Sequence, residues 1–202
     1  MANPFLEYEE VQSKQPGGWA FELLQTAVIA LAICIILWLF VVQGNQVDGQ
    51  SMEPTFHDKE LVLTDKVIQH FGEYKNGDVV IFKNETSGND FIKRLIGLPG
   101  DEVSVSGGRV YVNGVQIEEA YLPEGRETSG GTFLAEGETV LVPEGKYFAL
   151  GDNRGFSRDS RDNTVGLIPK NDLKGRVFLI YWPPKSDNLG IVHRVDSSVF
   201  NK

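Results

Sequence analysis

Residues 23–42 form the one long apolar run of the chain, 20 positions without a formal charge, with Gln25 as their strongest polar member. A helix rising about 1.5 Å per residue over this run reaches roughly 30 Å, the hydrocarbon thickness of a bilayer. Trp19 and Trp38 fall near its two ends, where indole rings favour the membrane interface. A cleavable export signal has a shorter apolar core, about 7–15 residues, behind positive charge. Here the approach is acidic, with Glu7, Glu9 and Glu10 against Lys14, and Gln43-Gly44-Asn45 offers no small-x-small cleavage site. The pattern predicts an uncleaved transmembrane anchor at 19–43 behind a short flexible tail at 1–18. One lysine before the span leaves its orientation open.

Beyond residue 43 the pattern changes to short runs rich in β-branched and aromatic residues, at 61–64, 79–83, 91–97, 102–105, 109–112, 139–142, 147–150 and 176–182. Turn formers separate them, among them Asn76-Gly77-Asp78, Pro99-Gly100-Asp101 and Pro143-Glu144-Gly145. Asn113-Gly114 between 109–112 and 115–117 predicts a hairpin, because Asn-Gly favours the tight type I′ turn. No long amphipathic helix and no internal repeat follows the anchor. The pattern predicts a mainly β domain over 44–202, a coiled arrangement of antiparallel sheets, with a smaller inserted cap at about 107–142.

Composition narrows the function. The 202 residues carry a net charge of −9, which argues against a nucleic-acid partner bound through a basic surface. The single cysteine, Cys34, lies in the apolar run and has no internal disulfide partner. His57, His70 and His193 are scattered without metal-motif spacing. Asp152, Asp159 and Asp162 alternate with Arg154, Arg158 and Arg161, a pattern that opposes a calcium ion and favours ion pairs.

Ser51 stands just past the anchor, in Gly49-Gln50-Ser51-Met52-Glu53-Pro54-Thr55. An isolated serine in a turn is ordinarily a solvated hydroxyl, so a nucleophile here needs a base. The second glycine of the G-x-S-x-G elbow is missing, and His193 with Asp196 lies in no distinctive motif. Lys93 is the other candidate. On a strand, Phe91, Lys93 and Leu95 share one face. An ammonium among apolar neighbours loses hydration, its pKa falls, and the neutral amine can take a serine proton. The competing reading is a strand lysine that snorkels to water.

Four ordered strings behind an anchor, GQSMEPTF, NGDVVIF, FIKRLIGLPGD and FALGDNRGFSRDSRDNTVGLIP, resemble type I signal peptidase, the membrane-anchored Ser-Lys endopeptidase, in its short single-span bacterial or cyanobacterial form. The resemblance implies Ser51 as nucleophile, Lys93 as general base and Ser157 as the hydroxyl that positions the lysine. It also implies the Ser51 backbone N–H as part of the oxyanion hole, with Asp152, Asp159, Arg161 and Arg94 supporting from behind. Substrates would be preprotein signal peptides with small residues at the first and third positions before the cut (Ala-x-Ala type), bound as a strand beside 79–82 and the stretch before Ser51. No cofactor or metal is implied; the bilayer and the protein-export channel are the implied partners. The catalytic domain would face the trans side, with residues 1–18 in the cytoplasm.

Two positions depart from many relatives. Gly49 stands where a serine hydroxyl completes the oxyanion hole, and Phe91 where a tyrosine is common. Two rival readings are a membrane-anchored β-rich binding or assembly module without catalysis and a soluble self-cleaving Ser-Lys repressor relative.

Overall fold

The structure, a computed structural model, describes residues 18–182 and 189–192. Helix α1, Gly18–Phe40, is apolar on every side, and it is long and apolar enough to cross a membrane. A helix hydrophobic all round finds its partner in lipid or in a large core; the described side chains of this one are exposed. The apolar run does not stay helical to its end. Val42 already belongs to β1, Val42–Gln46, which pairs antiparallel with β2, Leu61–Asp65. A short helix, α2, Val67–Phe71, follows β2 with Asp65 Oδ1 accepting the N–H of Val67 at 2.9 Å.

The remaining strands are β3 (Val79–Lys83), β4 (Asp90–Gly97), β5 (Glu102–Ser106), β6 (Arg109–Val112), β7 (Val115–Gln116), β8 (Thr139–Leu141), β9 (Lys146–Leu150), β10 (Ile168–Pro169), β11 (Leu173–Trp182) and β12 (Gly190–Ile191). They form two antiparallel sheets. The larger runs β1-β2-β11-β3-β4-β9-β10 with β12 on β11, and the smaller runs β7-β6-β5-β8. The mainly β expectation holds, and so does the hairpin: Asn113 and Gly114 have φ of 53° and 77°, the left-handed pair that a type I′ turn needs.

Long β11 bridges β2 and β3 and shifts register three times along its length. Such bulges bend and twist a strand, which lets β11 curl the larger sheet. At its first bulge a side chain on Gly175 would come 2.4 Å from the Asp65 carbonyl oxygen.

Three apolar clusters fill the domain. Val103, Val105, Val110 and Val112 of the small sheet pack with Ile96, Phe148 and Leu150. Val80, Leu95, Ala149 and Leu173 form a second cluster. In the third, Met52 and Phe56, both fully buried, join Val62, Ile81 and Val177. Burying side chains of this size contributes about 1.5–3 kcal/mol each, and these two pin the turn that carries Ser51 to the sheet.

Candidate active site

Two elements converge on one hydrogen bond. Ser51 opens the turn 51–55, held from below by Met52 and Phe56, while Lys93 projects from the middle of β4. Lys93 Nζ donates to Ser51 Oγ at 2.7 Å and to the Ile92 carbonyl oxygen at 2.7 Å. The lysine is 3 % exposed, and the Phe91 ring lies 5.3 Å from its nitrogen. Burial strips the ammonium of water and lowers its pKa from 10.5 to about 8, against the upward pull of the Asp159 and Asp152 carboxylates. The snorkelling alternative is thereby excluded.

The segment after β9 braces the other side of the serine. The Asn153 N–H donates to the Ser51 carbonyl oxygen at 3.0 Å, and Asn153 Nδ2 donates to that of Gln50 at 3.0 Å. Gly151 sits so close that a methyl group on it would lie 2.1 Å from Ser157 Oγ and 2.5 Å from the Ser51 carbonyl oxygen. Ser157 is therefore brought to the backbone of Ser51. Its Oγ is buried and has no hydrogen-bond partner among the described residues, and both bonds of Lys93 go elsewhere.

Beneath the pair lies a buried layer of ion pairs. Asp152 accepts from Arg94 Nε at 2.9 Å, from Arg94 Nη2 at 2.6 Å and from the Thr55 hydroxyl at 2.6 Å, which ties the end of the serine turn to β4. Asp159 accepts from Arg161 Nε and Nη2, each at 2.8 Å, and from the Gly151 N–H at 3.0 Å. Arg154 pairs with Glu119 and donates through Nε to the Gly151 carbonyl oxygen at 3.0 Å. Among the described residues, Arg161 is the one of the three alternating arginines with an ion-pair partner inside that stretch; Asp152 reaches Arg94, and Arg154 reaches Glu119. Asp162 instead accepts from the Thr164 hydroxyl at 2.6 Å.

The family model described as signal peptidase, peptidase S26, matches residues 20–182. A signal peptidase I of Bacillus licheniformis is 39 % identical over 177 residues, 86 % of this chain and 95 % of that protein. Signal peptidase I T of Bacillus subtilis is 36 % identical over 177 residues, 86 % of this chain and 91 % of that one. A crystal structure of a signal peptidase I from Enterococcus faecalis is 29 % identical with a TM-score of 0.42, covering 52 % of this chain and 96 % of that one. This chain belongs to the signal peptidase family.

Membership makes it a peptide hydrolase, and nothing favours the non-catalytic binding module. For a peptidase the cleft around Ser51 then acquires a meaning. It encloses about 820 Å³ and is lined by residues 45–48, by 88–93, and by Val62, Ile81, Arg158 and Lys174 as well as Ser51. β3 contributes only Ile81; the start of β4 contributes more than the 79–82 stretch expected from sequence. β9 pairs with β4 from Arg94 onward, so among the described residues the stretch 90–93 has a sheet partner only in β3. That leaves one backbone edge of this stretch open for an extended peptide.

Gly49 has φ of 94° and donates its N–H to Asp58 Oδ1 at 2.7 Å, so its own amide is engaged. His193 and Asp196 lie outside the described residues. Sequence reasoning missed Gly151, Asn153, Thr55 and Glu119. Gly151 and Asn153 stood in the quoted GDNR string, and that string was the signal that could have found them; Glu119 carries none.

Proposed function

We propose that Ser51 is the nucleophile and Lys93 the general base of a signal-peptide endopeptidase. The observation that carries this reading is the 2.7 Å contact between Lys93 Nζ and Ser51 Oγ at a lysine only 3 % exposed. Neutral Lys93 takes the Ser51 proton as Oγ attacks the scissile carbonyl carbon. The ammonium so formed gives its proton to the leaving amine, and the amine, neutral again, draws a proton from the water that opens the acyl-enzyme. The Ser51 N–H, beside the attacked carbonyl, serves as one oxyanion donor, a contribution of roughly 3–4 kcal/mol per donor in acyl transfer. Ser157, whose buried hydroxyl has no hydrogen-bond partner among the described residues, would receive Lys93 when the amine leaves Ser51 Oγ. Asp152, Arg94, Asp159 and Arg161 hold the two backbones that carry these groups.

The substrate enters as an extended strand along 90–93 and 45–48, with alternate side chains turned into the cleft. Val62 and Ile81 give that cleft apolar walls suited to small residues of the Ala-x-Ala type. We place residues 1–18 in the cytoplasm and the catalytic domain on the trans side, where preproteins leave the export channel; tethering enzyme and substrate to one bilayer raises their effective concentration. The test is cleavage of a preprotein in detergent by wild type, Ser51→Ala, Lys93→Ala and Ser157→Ala, each checked by circular dichroism. Folded Ser51→Ala and Lys93→Ala proteins are expected to be inactive and Ser157→Ala impaired. Wild-type cleavage by Lys93→Ala would overturn the assignment of the base.

A further inference from the structure

Arg154 has no role in the steps above, yet its guanidinium is fully buried and all its donors are used. Nε reaches the Gly151 carbonyl oxygen at 3.0 Å. Nη1 reaches Glu119 Oε2 at 3.0 Å and Thr128 Oγ1 at 2.7 Å, and Nη2 reaches the Tyr121 hydroxyl at 3.0 Å and the other Glu119 oxygen. Glu119, Tyr121 and Thr128 all come from the long connection between β7 and β8 of the small sheet. Tyr121 donates to Glu119 at 2.7 Å and lays its ring 4.1 Å from the Arg94 guanidinium. Arg161 Nη2 closes the circuit by donating to the Arg154 carbonyl oxygen at 2.9 Å. The Glu119 side chain is 13 % exposed and supplies the only carboxylate in hydrogen-bonding contact with Arg154 among the described residues.

The consequence lies at Gly151. Its amide is held by Asp159 and its carbonyl by Arg154, so both polar groups of this one peptide stretch are fixed by the ion-pair layer. Its Cα lies against the Ser51 carbonyl and Ser157, with no room for a methyl group. We propose that Glu119 is a positioning residue of the reaction: by holding Arg154 it fixes the Gly151 carbonyl, and with it the surface on which Ser51 and Ser157 rest. This inference rests on the reading of Ser51 as nucleophile. It gives the small sheet a task in catalysis although none of its residues lines the cleft.

Removing the Glu119 charge leaves a buried guanidinium with neutral partners only. Such a cation draws on the next carboxylate, and Asp152 already acts on Arg154 electrostatically. A shift of Arg154 toward Asp152 pulls at Gly151. Small displacements of reacting groups are costly: about 1 Å can lower the rate roughly a hundredfold.

The experiment compares full-length wild type, Glu119→Gln, the double variant Glu119→Gln/Arg154→Met, and Ser51→Ala in detergent, with thermal melts and the kinetics of preprotein cleavage. Glu119→Gln is expected to lose kcat about tenfold or more with KM within about twofold, since it touches positioning and not the cleft. In the double variant both charges are gone, so the melting temperature is expected to recover toward wild type while kcat stays low, because the Gly151 carbonyl has lost its donor. Recovery of kcat together with stability would show a merely structural pair and overturn the proposal. So would a folded Glu119→Gln protein with kcat within twofold of wild type. Activity in Ser51→Ala would instead overturn the nucleophile, independently of what the Glu119 variants do.

Discussion

The sharpest consequence of the buried lysine is a pH profile. With its pKa lowered from 10.5 to about 8, Lys93 is neutral in about one tenth of molecules at pH 7 and about nine tenths at pH 9. As the proposed base, Lys93 must be neutral to take the Ser51 proton, so activity is expected to rise with pH through the folded pKa and to fall as the amine protonates below it. The expected kcat/KM for preprotein cleavage therefore climbs about tenfold from pH 7 to pH 9 and levels off above, with a slope near one on the acid side. A hydrated lysine at 10.5 would give a very different curve, still rising steeply at pH 9 and gaining about a hundredfold over the same interval. The assay is initial-rate cleavage at substrate well below KM, with circular dichroism at each pH to confirm that the fold is intact. A half-point near 10 would refute the burial argument. A half-point near 6.5 that survives in Lys93→Ala would refute the lysine as base and point to a histidine.

Two further outcomes follow from the packing beneath the site. Gly151→Ala forces a methyl group to 2.5 Å from a backbone oxygen that has no rotamer to escape into; overpacking of this kind costs about 1–3 kcal/mol, so a melt is expected to fall by roughly 2–12 °C with cleavage reduced about a hundredfold, and wild-type cleavage would disprove the close approach. Asp152→Asn strands Arg94, 1 % exposed, without its charge partner; the expected loss is about 3–5 kcal/mol, read as a melting temperature lower by roughly 10 °C, and an unchanged melt would show that Arg94 is not buried as described.

How much of this was legible depended on where the partners lie along the chain. The Asn113-Gly114 hairpin could be read because its signal is local, a single dipeptide. A turn and a strand face mark Ser51 and Lys93 as candidates, but the four ordered strings, by resemblance, are what join them into a Ser-Lys pair. β1 could not, because Val42 ends an apolar run that reads as membrane helix up to that residue, and only pairing with β2 makes it a strand. The alternating aspartates and arginines of 152–162 did announce ion pairs. The sequence could not say that Asp152 would cross 58 positions to Arg94, or Arg154 35 positions to Glu119. Glu119 itself sits among other glutamates in an acidic connection and carries no motif. Gly151 shows the same limit from the other side: its need for glycine arises from Ser51 and Ser157, neither of which is its neighbour in sequence.

The electrostatics explain why a Ser-Lys site needs so many arginines below it. Drying the amine is what would let it act as the proposed base, yet the same dry interior strengthens the field of every carboxylate nearby. Asp159 and Asp152 both push Lys93 back toward the ammonium form. Replacing them with apolar groups would release the Gly151 amide and the Thr55 hydroxyl, which those carboxylates hold. Keeping the carboxylates and pairing each with a guanidinium resolves the conflict. Arg161 and Arg94 pair with these carboxylates, and a positive charge beside each one opposes its field by Coulomb's law, while the oxygens go on binding the backbone and the serine turn. Arg154 and Glu119 then close the layer as a third neutral pair. A buried ion pair is weak evidence of stability in general. On the proposed mechanism the pairs have a different use, which is to let acidic groups shape the site without recharging Lys93.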